Sequence, residues 1–172
     1  MNNNIVKSKQ NILIINTGGT FNKIYNELNG NLDVEKNNIF IEDILSKAKI
    51  TDISIAGIIY KDSLDINNTD RIKLTNYIKK SQYDKILIVH GTDTMNISAK
   101  FLELNITNKQ IVLTGAMIPY SIDGIEATAN LLMGYGYLLA NHKNGIFISM
   151  HGMVKKHTKI KKNKKLGVFQ CL

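Results

Sequence analysis

Unbroken apolar runs, rather than alternating ones, punctuate this chain. Residues 11–16 (N-I-L-I-I-N), 53–60 (I-S-I-A-G-I-I-Y), 85–89 (K-I-L-I-V), 110–114 (Q-I-V-L-T) and 145–150 (G-I-F-I-S-M) are rich in β-favouring residues. A run without a period of two reads as a strand buried on both faces, as in a parallel sheet under helices. Between the runs, apolar positions recur at helical spacing. Residues 40–50 place Ile41, Ile44, Leu45 and Ala48 on one face. A second helix, capped by Asn68 or Thr69, runs to about Ser81 with Ile72, Leu74 or Thr75, and Ile78 inward. A third spans 97–106, with Phe101, Leu102 and Leu104 apolar. A fourth starts at Asp123 and runs to about Asn141. Residues 131–140 (L-L-M-G-Y-G-Y-L-L-A) are apolar nearly all round, which predicts deep burial or a subunit contact. Strands and helices therefore alternate. The expected fold is α/β: a doubly wound, mostly parallel sheet in three αβα layers. Residues 23–34 interrupt this order. They centre on Asn29-Gly30, a short-range hairpin signal, and predict a hairpin flap after the first strand.

Each predicted strand ends in a polar or glycine-bearing turn, where open α/β sheets bind ligands. The first opens into Thr17-Gly18-Gly19-Thr20. Its glycines permit close backbone approach and unusual dihedrals. No G-x-G-x-x-G or P-loop pattern is present, so a dinucleotide or phosphate loop fits poorly. The second strand is followed by Ser63-Leu64-Asp65, and the third by His90-Gly91-Thr92-Asp93-Thr94-Met95. Gly91 allows a sharp turn, and Thr92 or Thr94 can cap the next helix. The fourth gives Gly115-Ala116-Met117-Ile118-Pro119, with the only proline. His90 and His151 also follow strands. A lone histidine there more often satisfies backbone than ligates metal, so both are read as structural.

Composition narrows the class. With 172 residues, 44% hydrophobic and 21% charged, the chain suggests one folded domain with a sizeable core. The single cysteine, Cys171, supports neither a disulfide framework nor a cysteine metal site. Residues 1–4 lack a signal-peptide pattern, and no apolar run is long enough for a bilayer. A cytoplasmic protein without membrane partners is expected. The net charge of +8 invites a nucleic-acid reading, but seven lysines fall within 155–165 with no aromatic among them. That segment is read as a solvated loop rather than a nucleic-acid site.

Taken together, Thr17-Gly18-Gly19-Thr20, Ser63-Leu64-Asp65, His90-Gly91-Thr92-Asp93-Thr94-Met95, Gly115-Ala116-Met117-Ile118-Pro119 and Asp123-Gly124 resemble the bacterial-type L-asparaginase family in order and separation. The resemblance covers the family's amino-terminal domain, which implies a single domain over 1–172 without the family's carboxyl-terminal domain. It implies an amidohydrolase that converts L-asparagine to L-aspartate and ammonia through a threonine acyl-enzyme. Glutamine is a further possible substrate, no cofactor or metal is needed, and a homo-oligomer is the expected assembly. Amide hydrolysis needs a nucleophile, a proton acceptor, oxyanion donors and a grip on substrate. The resemblance implies Thr20 as nucleophile in the turn with Gly19, and Tyr25 as the flap tyrosine bonded to it. Ser63 and Asp65 match substrate-holding positions. Gly91, Thr92 and Asp93 match the second catalytic threonine, its turn and the neighbouring substrate-binding aspartate. The family also places a lysine beside the second threonine. Lys162 is the match by counting from Met150, with Lys159, Lys161 and Lys164 as competing alignments. In the family a neighbouring subunit's carboxyl-terminal domain supplies an acid near the flap tyrosine. Glu27 is the substitute within this chain, against the plainer reading of an exposed side chain. An amino-acid-binding module without turnover is the alternative function.

Overall fold

A computed structural model describes residues 12–172. The first strand's opening residue, Asn11, lies outside the described residues. In chain order the strands are β1 (Ile12–Gly18), β2 (Lys23–Asn26), β3 (Asn31–Val34), β4 (Ser54–Lys61), β5 (Lys85–Val89), β6 (Gln110–Thr114), β7 (Gly145–Met150), β8 (Met153–Lys156), β9 (Ile160–Asn163) and β10 (Val168–Cys171). The helices are α1 (Ile39–Lys47), α2 (Asn68–Lys80), α3 (Met95–Asn105) and α4 (Gly124–Ala140).

The main sheet has the order β4-β1-β5-β6-β7-β8. Its first five strands are parallel, and β8 returns antiparallel on the edge beside β7. Successive side chains on a strand point to opposite faces, so each central strand feeds two cores. Leu13, Ile15, Ile86 and Ile88 pack with Leu74, Ile78, Ala99 and Leu102 from α2 and α3. Ile12, Ile14, Leu87 and Val89 pack with Ile41, Ile44, Leu131 and Leu138 from α1 and α4. This is the doubly wound, three-layer architecture. From β1 the chain winds to β4 on one side, then crosses to β5 on the other. The switch between β1 and β5 opens the crevice in which such sheets hold ligands.

Local chemistry sets the element boundaries. Asn67, not Asn68 or Thr69, caps α2. Its side chain accepts from Asp70 N while Asp70 accepts from Asn67 N, a reciprocal capping box. The buried face of α2 is Arg71, Leu74, Thr75 and Ile78, and Ile72 faces solvent. On α3, Leu102 is buried but Leu104 is exposed. Asp123 caps α4 by accepting from Ile125 N. Within the apolar stretch of α4, Leu131, Gly134, Tyr135 and Leu138 are buried, while Leu139 is exposed.

The lysine-rich segment departs from the expected loop. It forms β8, a short 3-10 turn and the β9–β10 hairpin. Burial explains this: Ile160 on β9 and Phe169 on β10, paired opposite Lys162, are buried in the core, so Lys161 and Lys162 are strand residues, while Lys164 and Lys165 lie in the exposed turn between the strands.

Candidate functional site

Three strand ends meet at the switch point with almost no space between their backbones. Gly19 has φ 79° and ψ −172°, a region essentially reserved for glycine. A Cβ there would lie 2.3 Å from the Gly91 Cα. A Cβ on Gly91 would in turn lie 2.6 Å from the Ser63 Cβ. The β1, β5 and β4 turns are thus stacked glycine to glycine to serine. Hydrogen bonds fix their order. Gly19 N donates to Lys61 O (2.8 Å), Thr17 Oγ1 to Val89 O (2.8 Å), and Asp93 N to Ser63 Oγ (3.2 Å). Thr94 sits at the amino end of α3, but its hydroxyl donates to Ser63 O (2.7 Å) instead of capping the helix.

Onto this assembly the β9–β10 hairpin brings one ammonium group. Lys162 Nζ donates to Thr92 Oγ1 (2.8 Å) and Asp93 Oδ1 (2.9 Å). Its side chain retains 13% exposure, against 33% for Asp93. The pair therefore lines a crevice that solvent reaches on the aspartate side. Lys161 and Lys164, the competing alignments, are exposed, as is Lys159. Alternation along β9 makes this choice: Ile160 points to the core, Lys161 to solvent and Lys162 to the strand ends.

Other expected residues are placed as follows. Thr20 begins the short 3-10 turn directly after Gly19 and is half-buried. Gly91, Thr92 and Ser63 are buried beside it. Asp65 is exposed at the end of the β4 turn, and its side chain makes no hydrogen bond among the described residues. Tyr25 lies on β2 of the expected hairpin, is 58% exposed, and makes no hydrogen bond to Thr20. Glu27 is exposed in the hairpin turn.

Two supports of the site carry no recognisable sequence signal. Asn16 holds the glycine turn by accepting from Gly18 N (2.9 Å) and donates to Asn37 O (3.0 Å). Asn22 donates to Asn37 O (3.1 Å) and to Glu35 O. These buried amides tie both ends of the hairpin to β1. Lys23 and Asp62 form an ion pair (2.6 Å) between the hairpin base and the β4 turn. Burial raises the Asp62 carboxyl, but hydrogen bonds from Lys23 and Leu64 N, with the charges of Lys23 and Lys162, bring it below its ordinary value.

Among the described residues no group of three His, Cys, Asp or Glu side chains gathers as a metal site. No described helix is long and apolar enough to cross a membrane. The arrangement instead offers hydroxyls, one ammonium and carboxylates around a common crevice.

The model of the asparaginase amino-terminal domain matches residues 11–169. The chain belongs to the asparaginase family. It is 28% identical over 166 residues to the L-asparaginase of Thermococcus kodakarensis, covering 91% of this chain and 49% of that protein. It is 33% identical over 132 residues to a probable periplasmic L-asparaginase of Haemophilus influenzae, covering 70% and 36%. The solved thermostable L-asparaginase of T. kodakarensis superposes with a TM-score of 0.78 at 27% identity, over 94% of this chain and 51% of that one. The probable cytoplasmic L-asparaginase of Campylobacter jejuni shares the fold, with a TM-score of 0.80 over 93% and 53%. The chain spans about half the length of the relatives it matches.

Beneath this asparaginase-family crevice lies His90, fully buried at the end of β5. Its Nδ1 donates to Gly91 O (2.8 Å), and its Nε2 has no hydrogen-bond partner among the described residues. Burial, reinforced by the nearby Arg71 charge and opposed by the Gly91 bond, pushes its pKa down to about 4. The folded state therefore refuses a proton that the unfolded chain accepts from about pH 6.5 downward. The unfolded state binds more protons between these values, so stability falls as pH falls from 6.5 to about 4, by roughly 3 kcal/mol. Denaturant unfolding at stepped pH should show this loss, and His90→Gln should remove that portion of the pH dependence.

Proposed function

We propose that this chain forms the catalytic domain of an asparaginase-like amidohydrolase that converts L-asparagine to L-aspartate and ammonia through an acyl-enzyme on Thr20. The observation that carries the reading is Lys162 bonded to both Thr92 and Asp93, beside the stacked turns of Gly19, Gly91 and Ser63. In the proposed first half-reaction the Thr20 hydroxyl oxygen attacks the side-chain amide carbon. The hydroxyl proton passes to the leaving nitrogen, and the C–N bond breaks to release ammonia. Water then attacks the ester carbon, the bond to the Thr20 oxygen breaks, that oxygen takes a proton from the attacking water, and aspartate is released. A threonine hydroxyl needs a neighbour to take or relay its proton. An ammonium bonded to Thr92 favours the deprotonated form of that hydroxyl and can relay a proton. Asp93 is suited to the substrate's α-ammonium, and Ser63 to its α-carboxylate. Asp65 and Tyr25 act in this reading only after the exposed hairpin and β4 turn close over substrate.

Thr20→Ala is expected to lower ammonia release from asparagine by at least about 10³-fold, with the fold retained. Unchanged release would remove the reading. A second reading, binding of an amino acid without turnover, is favoured by the exposure of Tyr25, which makes no hydrogen bond to Thr20. Calorimetry separates the two: aspartate binding by a protein that releases no ammonia would leave the second alone. Where the whole protein assembles from several copies, the exposed edge of α4 at Leu139 is the proposed contact.

A further inference from the structure

Lys162 stands on a hairpin outside the main sheet, so no sheet register fixes it against Thr92. Something else must hold β9–β10 in place. Burial of Ile160 and Phe169 supplies adhesion but little direction. Two hydrogen bonds between side chains outside the hairpin and its backbone supply direction. Asn96 Nδ2 donates to Ile160 O (2.9 Å) at the start of β9. Phe169 N donates to His151 Nδ1 (3.1 Å), and Phe169 is the residue paired opposite Lys162.

His151 is itself over-determined. It adopts φ 50°, uncommon outside glycine. Its backbone N donates to Asn130 Oδ1 (2.9 Å), and its ring Nε2 meets Glu126 Oε1 at 3.0 Å. The Phe169 ring lies edge-on to the imidazole at 5.9 Å. The proton must therefore reside on Nε2, donated to the carboxylate, because Nδ1 has to accept from Phe169. Glu126 is fixed in turn by Met117 N (3.0 Å to each carboxylate oxygen) and Ile118 N (3.1 Å). A continuous path runs from α4 through Glu126, His151 and Phe169 to the strand that carries Lys162.

We propose that His151, held in its Nε2–H form by Glu126, is a positioning residue that aims the Lys162 ammonium at Thr92 and Asp93. This deepens the amidohydrolase reading, on which its catalytic consequence rests. His151→Asn keeps an acceptor near the Nδ1 position and tolerates the positive φ, whereas His151→Ala keeps neither.

The test labels lysines with an amine-reactive anhydride and reads each site by mass spectrometry. Lys109, whose side chain is 8% exposed and which lies on another part of the fold, is the internal control for general loosening. In His151→Ala, labelling of Lys162 relative to Lys109 should rise about tenfold, and in His151→Asn it should stay near wild type. Asparagine turnover by His151→Ala should fall about tenfold, with no further loss when His151→Ala is added to Lys162→Met. An equal rise at both lysines, no rise at either, or an additive loss in the double variant would overturn the inference. Absence of ammonia release from asparagine by the wild type, with the expected labelling ratio, would instead overturn the amidohydrolase reading and leave the positioning role standing.

Discussion

Lys162→Met should cost on the order of 10³-fold in kcat for asparagine while changing stability by only about 1 kcal/mol. The ammonium is the sole cation bonded to Thr92 and Asp93 among the described residues. Methionine matches the length of the stem and keeps its packing, so the hairpin should remain docked. What disappears is a charge beside a hydroxyl that must lose or relay a proton. Asp93, already one-third exposed, can be hydrated in its place, which keeps the stability cost small. Arginine should not rescue, because a planar fork does not reproduce a point charge between two acceptors. Steady-state ammonia release, with thermal unfolding alongside, checks both halves. A kcat near wild type would mean that the bridge is only structural.

The second large effect is on folding. Gly19→Ala should destabilise the chain by about 4 kcal/mol, read as a drop in the unfolding midpoint. Two penalties act together. The backbone at Gly19 is in a region that side chains do not occupy, and the added carbon would meet the Gly91 backbone at 2.3–2.4 Å. Neither partner is a flexible side-chain end that could swing away. Gly136 in α4 gives the contrast. A Cβ there meets nothing within 4 Å, so Gly136→Ala should stabilise by about 0.5–1 kcal/mol through helix propensity alone. Equal effects at the two positions would show that the stacked-turn geometry is not what holds the site.

These contrasts also show what could be read from residue order. The buried runs at β1, β5, β6 and β7 were legible because strands covered on both faces need continuous apolar sequence. The hairpin was legible from Asn29-Gly30, and the site's turns from small and hydroxyl residues after each run. Helix faces were less legible: Ile72 and Leu104 look like core residues by type, yet they face water because the sheet covers only one side of each helix. The lysine-rich segment was misread as a loop. Its apolar signal is slight: Ile160 is the one apolar residue of β9, and on β10 only Phe169 is buried, below the level at which periodicity speaks.

The sequence by itself determined the doubly wound order, the glycine turns at the strand ends, and the set of hydroxyl and carboxylate groups they carry. Local sterics and the burial of continuous apolar strands are enough for that. Only the tertiary structure decided which lysine serves the site, that Gly19 rests on Gly91 and Gly91 on Ser63, and that His151 links α4 to the Lys162 hairpin. Those choices depend on contacts between segments tens of residues apart, where strand alternation and backbone separation, not residue identity, select the partner.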